Sequence, residues 1–124
     1  MSEPDLAGQR GVVEAFLAAS RGGDFSGLLA VLDPGVVFRA DAAAARLGGQ
    51  GEIVGADAVA KAFVGRAQGA RAALVDGRVG VVVAPMGRLF LVLEVTVSQG
   101  KIVAIDAIAD PARLPRIELG AFVG

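Results

Sequence analysis

The 124-residue sequence contains no cysteine, histidine, tryptophan, tyrosine or asparagine. Without cysteine there is no disulfide and no thiol nucleophile, and without cysteine and histidine there is no Cys/His zinc site. Without an imidazole base, Ser-His-Asp and Cys-His catalysis are excluded, and so is a tyrosine oxyanion donor. What remains for chemistry is eight Asp, five Glu, ten Arg, two Lys, one Thr and three Ser beyond Ser2. No residue stands out as catalytic, and no metal or cofactor is expected. Charge is scarce as well, with a net value of -1 and Arg residues scattered singly. Direct nucleic-acid binding requires a clustered basic face, so none is expected. Long apolar runs are missing too. Stretches such as Leu89–Leu93 fall far short of the ~20 residues of a membrane-spanning helix, and no basic segment followed by an apolar one opens the chain as in a signal peptide. A cytoplasmic protein is the expectation.

The composition that is present favours a packed core, with 54% apolar residues, many of them Ala and Val, and six Phe. Ten Arg against two Lys, together with abundant Ala, point to a GC-rich bacterial genome. The length suits one domain. Residues 1–8 read as a lead-in or a cloning remnant, and residues 9–124 as a single domain. Val12, Val13, Phe16 and Leu17 form a helical stripe that Arg21, Gly22 and Gly23 end. Asp24 caps a second helix carrying Leu28, Leu29 and Leu32, which should stop at Asp33 before Pro34. Val36–Asp41 reads as a strand with Val37, Arg39 and Asp41 on one face. Residues 42–51 carry no clear pattern, Glu52–Val54 suits a short strand, and a helix is expected over Ala56–Gln68. Four strands follow, Arg71–Val75, Arg78–Ala84, Arg88–Ser98 and Lys101–Ala109. Their turns lie at Asp76-Gly77, Pro85-Met86-Gly87 and Gln99-Gly100; the first is a strong hairpin signal. The tail carries Leu114, Ile117, Leu119 and Phe122 and is expected to dock.

This order predicts an α+β domain in which helices cover one face of a curved antiparallel meander. In the third of these strands Leu89, Leu91, Leu93, Val95 and Val97 share a face. Phe90 and Val92 make the opposite face more apolar than a wet face should be. That second face should therefore line a pocket or be covered by another chain or domain, such as a homodimer partner.

Several segments carry a family resemblance. They are Val12-Val13-Glu14-Ala15-Phe16-Leu17-Ala18-Ala19-Ser20-Arg21-Gly22-Gly23-Asp24-Phe25, Leu28-Leu29-Ala30-Val31-Leu32-Asp33-Pro34, and Val36-Val37-Phe38-Arg39-Ala40-Asp41. Gly80–Pro85 and Gly100–Leu114 fit the same pattern. Over residues 9–115 the sequence resembles the SnoaL-like branch of the nuclear-transport-factor-2-like superfamily. More narrowly, it resembles the C-terminal extension of extracytoplasmic-function RNA polymerase sigma factors. The resemblance implies a cone-shaped fold, a bent sheet wrapped on N-terminal helices, and often a pocket at its mouth. It implies a non-catalytic regulatory role through contact with the sigma core or RNA polymerase, tuned by a small apolar ligand. The family's Asn-Pro-Asp-Lys-Leu motif corresponds to Asp110-Pro111-Ala112-Arg113-Leu114, so Asp110, Pro111, Arg113 and Leu114 are candidate partner contacts. The family's Asp-Gly-Gly-Gly-basic segment becomes Asp41 followed by four alanines and Arg46, which removes the glycines' freedom at positive φ. The promoter- and polymerase-binding helices of a sigma factor are not among these residues. The chain is therefore expected to be either an excised domain or a free-standing relative.

SnoaL-like enzymes use carboxylates in the cone for cyclase, isomerase and epoxide-hydrolase chemistry. The alternative reading is thus a free-standing small-molecule-binding protein or such an enzyme. Candidate pocket residues are Phe16, Arg39, Asp41, Phe63, Phe90, Glu94 and Asp106. An Arg39–Asp41–Asp106 cluster in an apolar cone could orient water or take a proton. The same residues could instead be ion pairs at the mouth or solvent-facing strand positions, because a register change of one residue inverts every face. The glycines at 48, 49, 51 and 55 lack the Gly-Lys-Ser/Thr ending of a phosphate loop.

Overall fold

A computed structural model describes residues 5–48 and 51–121. The elements are α1 (Leu6–Arg21), α2 (Phe25–Val31), β1 (Leu32–Ala40), α3 (Ala42–Gly48), β2 (Glu52–Val54), α4 (Ala56–Phe63), β3 (Ala70–Val75), β4 (Arg78–Val83), β5 (Leu91–Ser98), β6 (Lys101–Ile108) and β7 (Leu119–Gly120). Helix α1 starts earlier than expected because Asp5 caps it, its carboxylate accepting the Gly8 N–H at 2.9 Å. Leu6, Ala7 and Gly8, expected as lead-in, are its first turn. Asp24 caps α2 in the same way, through Gly27 N at 2.9 Å. An Asp side chain satisfies an N–H that the first helical turn leaves without a partner.

The second helix passes directly into β1, which begins at Leu32 rather than Val36. Pro34 is tolerated because the pairing of β1 with β6 slips between Leu32 and Val37, where no ladder N–H is needed. The pattern-free stretch after β1 is α3. Alanine has the highest helix propensity, and Asp41 caps the run through Ala44 N at 2.8 Å.

One seven-stranded sheet runs in the order β2-β1-β6-β5-β4-β3-β7. The expected four-stranded meander, β3 to β6, is antiparallel throughout. The pairing of β1 with β6 is parallel. Two hairpins turn on paired left-handed residues, Asp76 (φ 50°) with Gly77 (φ 79°) and Gln99 (φ 52°) with Gly100 (φ 77°). Positive φ at both central positions is the type I′ geometry that suits strand twist.

The two faces of this sheet are built differently. The inner face carries Val81, Leu93, Val95 and Ile105 against Phe16 and Leu17 of α1. On the outer face Ala73, Val75, Val82 and Val92 form a second buried cluster. It is closed by the chain's own tail, with Leu114 and Ile117 packed on it together with Leu89. Beyond β6 the tail crosses to the sheet edge, where β7 pairs with β3. There the Glu118 N–H donates to Asp76 Oδ1 at 2.8 Å, and the Asp76 N–H to the Glu118 carbonyl at 2.7 Å. The chain's own tail thus packs on the apolar cluster of the second face; Phe122, also expected to dock, lies outside the described residues. Gly80 sits on this outer face where only glycine fits, since a Cβ would lie 2.7 Å from the Leu93 carbonyl oxygen and 2.8 Å from Val75 Cγ2.

Candidate ligand cavity

Between the inner sheet face and the helices lies a cavity of about 700 Å³. Its aromatic part is Phe16, Phe38 and Phe63, meeting edge to face: Phe16–Phe63 at 5.1 Å and 65°, Phe38–Phe63 at 5.6 Å and 74°. Leu47 of α3, Leu93 of β5 and Phe90 add to the apolar wall. Among the described residues the polar side chains of the lining are Lys61, Arg66 and Gln68, and no carboxylate is among them.

The wall that bears Arg66 is held by α1. Helix α4 ends at Phe63, short of the expected Gln68, because Gly65 (φ 76°), Ala67 (φ 69°) and Gly69 (φ 79°) turn left-handed. Ser20, fully buried, donates its hydroxyl to the Phe63 carbonyl at 2.5 Å and accepts the Gly65 N–H on its own carbonyl at 2.7 Å. Arg21 donates Nε to the Ala67 carbonyl at 3.3 Å and a terminal nitrogen to the Ala70 carbonyl. The Ser20 hydroxyl thereby partners the last carbonyl of α4, and Arg21 ties the segment that follows it to α1.

Of the candidate pocket residues, Phe16, Phe63 and Phe90 line the cavity. Phe90 does so from the loop before β5, because that strand begins at Leu91 and the expected alternation does not reach back to it. Leu89 consequently packs on the outer cluster instead of sharing the face of Leu91. Arg39, Glu94 and Asp106 lie on the opposite sheet face from the cavity. Each alternates with inward residues: Arg39 with Phe38 and Ala40, Glu94 with Leu93 and Val95, Asp106 with Ile105 and Ala107. Arg39 Nε and a terminal nitrogen reach the two Asp106 oxygens at 3.0 and 3.4 Å, across the register of parallel neighbours. Glu94 stands opposite Asp106 on β5. The pair is largely exposed, with side-chain exposures of 55% and 33%, and has the character of a surface salt bridge.

Asp41 is not part of that cluster, because β1 ends at Ala40 and the two-residue period stops there. Its carboxylate clamps the start of α3 to the end of β6, accepting Ala44 N at 2.8 Å, Ala109 N at 3.1 Å and Asp110 N at 3.0 Å. Burial pushes its pKa up, but the three N–H donors and the Arg113 guanidinium outweigh it and hold the carboxyl below its ordinary value. The Asp110–Leu114 motif is a turn built on the same clamp. Asp110 Oδ1 accepts Ala112 N at 2.9 Å, and its carbonyl accepts Arg113 N and Leu114 N at 2.9 and 3.0 Å. Pro111 and Arg113 are exposed, while Leu114 reaches the outer cluster.

Sequence reasoning missed Lys61, Arg66 and Leu47. Lys61 had a signal, being three residues after Ala58 and one before Ala62, both of which line the cavity. Arg66 had none, since it follows a helix end that the sequence did not mark. A carboxylate-free lining can enclose an apolar molecule and attract charge, but it offers no carboxylate acid or base. Among the described residues no group of three or more acidic residues could hold a metal ion, and no helix is long and apolar enough to cross a membrane.

No family model matches the sequence, and no curated protein does. Solved structures do. An NTF2-like protein from Burkholderia xenovorans aligns with TM-score 0.58 and 20% identity over 90% of this chain and 96% of its own. This chain has the nuclear-transport-factor-2-like fold. The extracytoplasmic function sigma factor SigJ of Mycobacterium tuberculosis aligns with TM-score 0.64 and 26% identity, over 84% of this chain and 42% of the sigma factor. An epoxide hydrolase of the same organism, described as LEH-like, aligns with TM-score 0.57 and 20% identity, over 93% of this chain and 87% of that one. The chain thus spans less than half of the sigma factor and most of the enzyme.

Proposed function

We propose that this chain is a non-catalytic regulatory module of an extracytoplasmic-function sigma factor, acting in the cytoplasm on the sigma core and binding a small, mainly apolar molecule in its cavity. One observation carries the non-catalytic part. Among the described residues the cavity lining contains no Asp or Glu, and the chain has no His, Tyr or Cys to replace them. The likeness to a sigma factor supports the regulatory part. The Asp110–Leu114 turn, with Pro111 and Arg113 exposed, offers the contact surface. In isolation the chain would form a homodimer.

The test is transcription reconstituted from RNA polymerase and the sigma core domains of the source organism, with and without this chain. A several-fold change that Arg113→Ala weakens supports the reading; unchanged transcription at saturating chain overturns it. A second reading, a free-standing small-molecule-binding protein, is favoured by the enzyme-sized neighbour that the chain covers almost end to end. Immunoblotting of the source cell separates the two. A product several times larger than 12.4 kDa supports the sigma-factor reading, and one of that size the free-standing protein.

A further inference from the structure

Resting on the reading of the cavity as a ligand site, we infer that its ligand is an amphipathic anion. A flat apolar body would lie against the half-buried Phe38 and Phe63, and an acidic group would sit at the rim against Lys61 and Arg66. A cavity of about 700 Å³ is in the size range of sites for small organic molecules. Its interior is aromatic and aliphatic, so the body of the ligand is apolar. Among the described residues its charged lining is cationic: Lys61 and Arg66 are exposed at the rim, and no carboxylate accompanies them.

Among the described residues neither cation is in an ion pair; the ion pairs there are Arg10–Glu14 and Arg39–Asp106. The contrast with Arg21 is informative, because that guanidinium is committed to the backbone carbonyls of Ala67 and Ala70. Lys61 lies in the last turn of α4, where a cation also offsets the helix dipole. Arg66 has no such role, since it lies beyond the helix on the segment that Ser20 and Arg21 fix in place. Two unpaired cations beside an apolar cavity raise the local potential in a chain whose net charge is -1. An acidic head group would gain charge-assisted hydrogen bonds there, whereas a cationic one would be repelled.

A matched pair of dyes isolates the head group. Anilinonaphthalene sulfonate and N-phenyl-1-naphthylamine share one apolar body and differ by a sulfonate. Both are titrated by fluorescence into the wild type, the K61Q/R66Q double variant and Ala62→Phe, which places a ring inside the cavity; thermal melting verifies that each is folded. The expected result is that the sulfonate-to-amine affinity ratio falls about tenfold in the double variant. Raising the salt should weaken sulfonate binding to the wild type and much less to the double variant. An unchanged ratio with both dyes still excluded by Ala62→Phe overturns the anion assignment and leaves the cavity reading standing. Failure of both dyes to bind the wild type, or binding insensitive to Ala62→Phe, overturns the cavity reading itself.

Discussion

The inner and outer faces of the sheet come from the same strands and solve different problems. The inner face packs on helices and stops short of closing, leaving a cavity rimmed by Lys61 and Arg66. The outer face closes its apolar part with Leu114 and Ile117 and carries the charged strand residues Arg39, Glu94 and Asp106. The strand carboxylates Glu94 and Asp106 are therefore on the side without the cavity. A fold shared with a solved epoxide hydrolase here combines a pocket on one sheet face with the strand carboxylates Glu94 and Asp106 on the other. Function then follows the site rather than the fold.

The largest expected effect is on the inner face. Phe16→Ala removes a fully buried ring and should cost about 3–5 kcal/mol in urea unfolding, more than any change below. Asp41→Ala comes next, at about 2 kcal/mol, because it leaves the Ala44, Ala109 and Asp110 N–H groups without their acceptor. A folded-state pKa below the unfolded value makes this stabilisation present above the unfolded value and lost as pH falls through the folded one. The wild type should therefore lose stability below about pH 4 more steeply than Asp41→Asn. Equal acid limbs would contradict the clamp.

On the outer face, Leu114→Ala and Ile117→Ala should each cost about 1–2 kcal/mol, since both side chains are half-buried. They should also speed proteolysis of the tail without altering dye binding in the cavity. The smallest effect belongs to Arg39→Ala. Removing an exposed pair should change stability by no more than about 1 kcal/mol. A loss several times larger would mean that the outer face depends on this pair and would erase the contrast.

How much of this was legible in the sequence varied with how local each cause is. The meander was legible because Asp76-Gly77 and Gln99-Gly100 announce their turns and the strands between them are Val- and Ile-rich. The helical stripe of Val13, Phe16 and Leu17 was legible by period. Helix α3 was not, because four alanines after Asp41 give no amphipathic pattern, and its cap is completed by contacts with Ala109 and Asp110. Parity placed Arg39 and Asp41 together, but the strand ends between them. It also placed Phe90 beside Val92, although β5 begins after Phe90. Arg66 reaches the cavity only through the early end of α4 and its ties to α1, which no local pattern encodes. The tail's docking was legible from Leu114 and Ile117; its landing place depended on long-range topology.

If the inner face binds a ligand and the outer face does not, bound ligand should protect one side of the sheet alone. Hydrogen–deuterium exchange with and without saturating N-phenyl-1-naphthylamine tests it most directly. The amides of Arg66 and Ala70 are internally bonded and so report on local opening. Slowed exchange is expected in α3, α4 and residues 64–70, with the tail over residues 112–120 unchanged. Slowing confined to the tail or to outer-face positions, with residues 64–70 unaffected, would contradict it.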